Sequence, residues 1–273
     1  MIIAQISDTH LALDTPDADR RLHDFARTIA DINALDPAPD VIVHTGDIVH
    51  NGRPDEYAQA AAVIAKARAP IYVLPGNKDD RVNLRAAFPA ECYRASGSEF
   101  IDYAIEDFAV RLIALDTLSP GKGRGDFRRE QAERLVELIE ADSRKPIAIF
   151  THHPPFEVMV GPDRFHFETV EDMTRLCDVL SRCERIAGVF SGHVHRADAG
   201  AVGRIPASVV PCIATTLRKG DYPASLKTRP VYHLHRFDPA CGFVTESRVV
   251  GMGGAPASER SGAPIAVESF AES

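Results

Sequence analysis

Apolar and polar positions alternate between two rhythms along this chain. Residues 2–7 are an apolar run ending at Asp8-Thr9-His10, and a short run of this kind reads as a buried strand. Leu22, Phe25, Ala26, Ile29 and Ile32 then recur at three- and four-residue intervals. That is the spacing of one helix face, so residues 20–35 are predicted helical. Next comes Val41-Ile42-Val43-His44-Thr45-Gly46-Asp47. Its β-branched residues suit a pleated surface, and Gly46 lets the backbone turn and present Asp47. A second helix begins near Pro54, a residue suited to a first helical turn, with Tyr57, Ala61, Ile64 and Ala65 on one face. Ile71-Tyr72-Val73-Leu74, closed by Pro75-Gly76-Asn77, is a third strand. The order β-α-β-α-β favours a parallel sheet with right-handed crossovers.

From Phe100 the rhythm changes. Residues 98–106 and 108–116 read as two strands around a turn near Asp107, an antiparallel hairpin. Residues 121–126 form a loop with Lys122 and Arg124. Residues 128–142 are helical, 147–150 a strand, 156–167 a loop rich in Phe, His, Gly and Pro, 168–182 helical and 186–190 a strand. Further β-segments fall near 206–211, 230–237 and 241–250. The two halves each combine strands and helices, which implies two stacked sheets with helices outside. A single domain over residues 1–250 is expected. Residues 251–273, rich in Gly, Ala, Pro and Ser, read as a tail that is mobile or docks on a neighbouring subunit.

Composition narrows the function. A net charge of −8 disfavours long nucleic acid, whose non-specific binding needs many Lys and Arg on phosphates. No run approaches the roughly 20 apolar residues of a membrane span. The N-terminus lacks a basic leader and a small-residue cleavage site, so it reads as a first strand and not a signal peptide. Five cysteines, with no C-x-x-C pair, argue against a disulfide framework and thiolate zinc, and fit reduced residues in a cytoplasm.

The chemistry lies where the strands end. Five apolar strands each run into metal-binding residue types: Asp8 and His10, Asp47, Asn77, His152, and His193 with His195. Open α/β sheets place ligands at these carboxyl ends. Taken singly, Asp8, Asp47 and Asn77 are ordinary turn residues. Five endings in order are a different matter. Imidazoles, two carboxylates and an amide oxygen, without thiolate, suit two ions such as Fe, Mn, Zn or Co. A carboxylate has two oxygens, so Asp47 can bridge them.

The blocks Asp8-Thr9-His10, Gly46-Asp47, Gly76-Asn77, His152 and Gly192-His193-Val194-His195 resemble those of the calcineurin-like metallophosphoesterase superfamily over residues 1–215. The stretch from Gly46 to Tyr57 resembles the bacterial branch of class III cyclic-nucleotide phosphodiesterases and glycerophosphodiesterases. The resemblance implies a four-layer α/β/β/α sandwich of two mixed β-sheets. It implies a first metal on Asp8, His10, Asp47 and His195, and a second on Asp47, Asn77, His152 and His193. It also implies a small-phosphodiester substrate attacked by a metal-bridging hydroxide, and a homo-oligomer, dimer or larger; residues 230–273 are the expected interface. A metal-dependent nuclease, a phosphomonoesterase and a non-catalytic scaffold are the alternatives. An acidic balance without Trp speaks against the nuclease.

One position departs from the family. Its block is usually Gly-Asn-His-Asp or Gly-Asn-His-Glu, and here it is Gly76-Asn77-Lys78-Asp79. Lys78 is a compact cation that can neutralise phosphate charge but is a poor general acid at its normal pKa of about 10.4. It is therefore a candidate catalytic residue by electrostatics, with Asp47 and His153, the last orienting His152, touching substrate or simply packing in the core. Asp79 and Asp80 either hold Lys78 or start the next helix. His44 is expected to be a satisfied buried histidine. His50 and Asn51 are placed at the site's edge, His166 is a substrate-contact candidate, and His23 a surface residue. His233 and His235 share a strand face and are not expected to be ligands. Arg124, Arg128 and Arg129 read as a solvated face.

Overall fold

The computed structural model describes residues 1–88, 93, 98–141, 144–160 and 162–252. Of the tail expected over residues 251–273, residues 253 onward lie outside them, as does Cys92. The first sheet contains β1 (Ile2–Ile6), β2 (Val41–His44), β3 (Ile71–Val73), β10 (Val231–Asp238) and β11 (Gly242–Val249), ordered β11-β10-β1-β2-β3. β1, β2 and β3 are parallel, with Ile3 opposite Val41 and Ile42 opposite Ile71, whereas β10 runs antiparallel to β1. Helices α1 (Ala18–Asn33) and α2 (Pro54–Ile64) make the expected crossovers. A short helix α3 (Arg81–Ala87) follows β3, and the Asp80 side chain accepts from Asn83 N at its start.

The second sheet contains β4 (Tyr103–Ile105), β5 (Arg111–Leu115), β6 (Ile147–Thr151), β7 (Ile186–Ser191), β8 (Asp198–Val202) and β9 (Ile205–Val209), ordered β4-β5-β6-β7-β9-β8. β5, β6, β7 and β9 are parallel, and the two edge strands are antiparallel to their neighbours. Helices α4 (Arg129–Glu140) and α5 (Val170–Ser181) connect the central strands.

The layers can be read from strand alternation. In β5 and β6, Ile113, Leu115, Ile147 and Ile149 pack with Leu135, Leu138, Leu176 and Leu180 of α4 and α5. Their neighbours Leu112, Ala114, Ala148 and Phe150 enter the other core, with residues of the first sheet and α1. Side chains point to opposite faces at period two, so this sheet has helices on one side and a sheet on the other. Phe190 of β7 stacks 3.9 Å from His235 of β10, and Gln5 Nε2 donates to the Ser191 carbonyl at 3.1 Å, joining the sheets. The result is the expected sandwich of two mixed sheets flanked by helices.

Two expectations need correction. The strand read over 98–106 is only Tyr103–Ile105. The Ile101 N–H donates to Asp116 Oδ2, and Asp102 Oδ1 takes the Asp116 N–H, so side chains replace ladder partners there. β8 went unread because Asp-Ala-Gly-Ala-Val carries one β-branched residue. The local signal is the two-residue Gly203-Arg204 turn, with Gly203 at φ +60° and Val202 opposite Ile205. Among the described residues no helix is long and apolar enough to cross a membrane, and Cys177, Cys183, Cys212 and Cys241 are free.

Candidate metal centre

The carboxyl ends of β1, β2, β3, β6 and β7 meet where the two sheets adjoin. Backbone bonds tie these ends together. Asp8 N donates to Gly46 O and His10 N to Asp47 O, each at 3.0 Å. Gly192 N donates to His152 O at 3.0 Å, and His193 N reaches Asp8 Oδ2 at 3.0 Å. Among the described residues, the non-glycine positions with positive φ are Asp8, His10, Asp47, His193 and His195, with φ of 45° to 74°. Each conformation costs about 1–3 kcal/mol and persists only where the surroundings impose it. All five are residues singled out at the strand ends.

Their side chains converge. One ligand atom each from Asp8, His10, Asp47 and His195 lies within 4.8 Å of the others, as do atoms of His152, His153 and His193. Asp47 Oδ2 is 3.5 Å from His10 Nε2 and 3.5 Å from His152 Nε2, so one carboxylate oxygen faces both groups. Asn77 Oδ1 lies 3.1 Å from His152 Nε2 and 3.1 Å from His193 Nδ1.

The donor set fits cations. His152 Nδ1 lies 2.7 Å from the Thr45 carbonyl and His195 Nδ1 2.9 Å from the Leu217 carbonyl. A carbonyl only accepts, so both Nδ1 atoms carry the proton and a neutral ring turns its Nε2 lone pair inward. His195 Nε2 then faces His10 Nε2 at 3.1 Å, and His152 Nε2 faces two oxygens. Asp8 Oδ1 and His153 Nε2 are buried without a hydrogen-bond partner among the described residues. With the rings neutral, lone pairs would meet lone pairs in this buried space, which calls for positive charge, from protons on the imidazoles or from metal ions.

The titration shifts report the same demand. Burial opposes ionisation of Asp8, yet His10 and His195 hold its carboxyl well below the usual range. Asp47, also buried, is held low by His152 and His10. Burial alone would lower His152, but Asp47 and Asp8 lift it to about 9, and Asp8 likewise raises His195. His153 and His193 are lowered by burial and by neighbouring imidazoles.

Residues around the centre sort clearly. His153 Nδ1 is 2.8 Å from Thr117 Oγ1, and its ring lies 4.4 Å from that of His193. The Lys78 side chain is exposed, and its backbone N–H donates to Asp47 Oδ1. His44 is buried as expected, with Nε2 3.0 Å from Thr9 Oγ1, but it is only half satisfied, since its Nδ1 has no hydrogen-bond partner among the described residues; His23 is exposed. His50 packs edge-on 5.7 Å from His10, at the site's edge, whereas Asn51 bonds Glu56 and shapes the loop. The His166 ring lies 5.2 Å from His193. His235 bonds Gln5 and Thr245 between the sheets and belongs to neither candidate ligand group. Arg124, Arg128 and Arg129 form exposed ion pairs.

Asp79 is the residue the sequence undervalued. It does not hold Lys78. It accepts from Gly76 N, Ile48 N, Val49 N and Tyr57 Oη at 2.8–3.3 Å, pinning the Asp47 loop to the Asn77 loop. Burial and the nearby Asp47 push its pKa up to about 7. Arg21, another omission, donates to the His10 carbonyl at 3.0 Å. An acid two residues past Asn77 was the available sequence signal for the first; the second had none.

The description "Calcineurin-like phosphoesterase" matches residues 1–197. The chain belongs to that family. It is 30% identical over 262 residues to a probable glycerophosphodiester phosphodiesterase of Arcobacter nitrofigilis, covering 92% of this chain and 94% of that protein. It is 28% identical to a probable cyclic nucleotide phosphodiesterase of Rhodococcus erythropolis, covering 76% and 69%. The crystal structure of a dimetal phosphatase from Danio rerio superposes with TM-score 0.63 at 13% identity, covering 92% of this chain and 98% of the other. That likeness concerns the fold.

Proposed function

We propose that this chain is a dinuclear metal-dependent phosphodiesterase acting on small phosphodiesters, either glycerophosphodiesters or cyclic nucleotides. The observation that carries the reading is Asp47 Oδ2, equidistant at 3.5 Å from imidazoles of both ligand groups. Asp8, His10, Asp47 and His195 would hold one ion, and Asp47, Asn77, His152 and His193 the other. When bound, such ions polarise phosphoryl oxygens and acidify water. The substrate classes come from the named activities of the relatives above.

The chain's own groups do the rest. The Thr45 and Leu217 carbonyls fix the tautomers of His152 and His195. Thr117 holds His153 against His193, so His153 positions that ligand and its neighbour. Exposed Lys78 sits beside Asn77 and offers its ammonium to a phosphate anion, an electrostatic role that favours substrates with good leaving groups. Residues 1–250 acting as one domain, a homo-oligomeric assembly and a cytoplasmic location belong to the same reading. The free cysteines support the last of these.

The test is a metal-supplemented substrate panel: an activated aryl diester, cyclic AMP, a glycerophosphodiester, single-stranded DNA and an aryl monoester, with Asp47→Ala as control. Hydrolysis of the small diesters, lost in the control, is expected. A wild-type enzyme that leaves every diester intact would end this reading.

A further inference from the structure

A cavity of about 430 Å³ opens against His193, lined among others by Arg124, Asp163, Phe165, His166 and Lys219. Its walls are tied to one another and to the candidate centre. Gly125 N donates to the His166 carbonyl at 2.9 Å, and Glu168 N returns to Gly125 O at 2.7 Å, clamping the two loops together. Lys219 N donates to the His195 carbonyl at 3.1 Å. A molecule whose phosphate lay at the centre would extend its alcohol group into this space.

His166 is the polar group built into that wall. It is 6% exposed, and its Nε2 lies 2.9 Å from the Val158 carbonyl. The carbonyl can only accept, so Nε2 carries the proton and Nδ1 of the neutral ring is an acceptor. Among the described residues Nδ1 takes no hydrogen bond. Arg124, Lys219 and Asp163 act on the ring, and the Glu168 carboxylate also lines the cavity, so it carries two cations and two acids. Asp163 is already paired with Arg124 at 2.8 Å, whereas Lys219 forms no ion pair among the described residues. Phe165 supplies an apolar wall for carbon atoms.

We propose that His166 is a specificity-determining residue, accepting a hydrogen bond from a hydroxyl on the alcohol group of the diester. This rests on the phosphodiesterase reading above, and names which diesters it prefers: those whose alcohol is a polyol or sugar. The hydroxyl donates, and His166 Nδ1 accepts. An analogue lacking the hydroxyl leaves the imidazole unpaired and loses affinity on the order of tenfold.

The test uses the metal-loaded enzyme at pH 8, well above the ordinary imidazole pKa of about 6.5. Two esters share the p-nitrophenolate leaving group and differ in the retained alcohol, glyceryl p-nitrophenyl phosphate and propyl p-nitrophenyl phosphate. Calorimetry of glycerol 1-phosphate and propyl phosphate reads the same preference without turnover. Wild type should favour the glyceryl member of each pair about tenfold. In His166→Phe the ratio should fall close to one, and His166→Gln, which retains an acceptor oxygen, should recover part of it. Equal handling of both pairs by wild type overturns the proposal and leaves the phosphodiesterase reading standing, as does an unchanged ratio in His166→Phe. Failure of wild type to hydrolyse either ester overturns both.

Discussion

The Lys78 backbone N–H donates to Asp47 Oδ1 at 2.7 Å. That peptide fixes one oxygen of the carboxylate and leaves Oδ2 between His10 and His152. The Lys78 side chain is free of this task and exposed. Lys78→Gln keeps the peptide, so metal content should stay at the wild-type level. Turnover of an activated aryl diester should drop about ten- to a hundredfold, somewhat less than for a buried oxyanion donor. Steady-state kinetics with metal analysis checks this; undiminished turnover would remove Lys78 from the mechanism.

Gly46 has φ +92°, and a Cβ there would lie 2.6 Å from Gly76 N and 2.8 Å from His152 Nδ1. Gly46→Ala adds left-handed strain and presses on the atom by which His152 holds the Thr45 carbonyl. A loss of about 2–4 kcal/mol is expected, with weakened metal retention. Thermal unfolding and metal analysis read both; a variant matching wild type in each would contradict the packing described at this strand end.

Asp102 has its pKa pushed up to about 7 by burial and by the neighbouring Asp116 carboxylate. The unfolded chain releases this proton near 3.8, the folded chain only near 7. Folding is therefore penalised increasingly as pH rises through that window, and the group's full contribution to stability is present only below it. Asp102→Asn cannot ionise and can still accept the Asp116 N–H. It should gain about 2–4 kcal/mol over wild type at pH 8 and little at pH 4. Denaturant unfolding at the two pH values decides; a pH-independent difference would contradict the burial argument.

Much of this molecule was legible before any coordinates. The parallel β1–β2–β3 unit and the strand-end ligands announce themselves locally, since an apolar run, a glycine and a polar tip are adjacent in sequence. What sequence could not reveal depends on contacts between distant segments. The left-handed conformations of Asp8 and His193 are imposed by bonds such as Asp8 N to Gly46 O and His193 N to Asp8 Oδ2. The four donors gathered by Asp79 come from two loops and a helix. β4 is short because Asp116 and Asp102 capture backbone groups that periodicity assigns to a ladder. His166 was readable only as a histidine in an aromatic loop; its tautomer comes from the Val158 carbonyl.

The central assertion is that a single aspartate serves two cations, and counting metal ions per chain examines it most directly. Elemental analysis after reconstitution with manganese or zinc should find two ions per wild-type chain. In Asp47→Ala, with its circular dichroism unchanged, occupancy should fall below one. Two ions retained by Asp47→Ala, or fewer than two bound by wild type at saturating metal, would contradict the account.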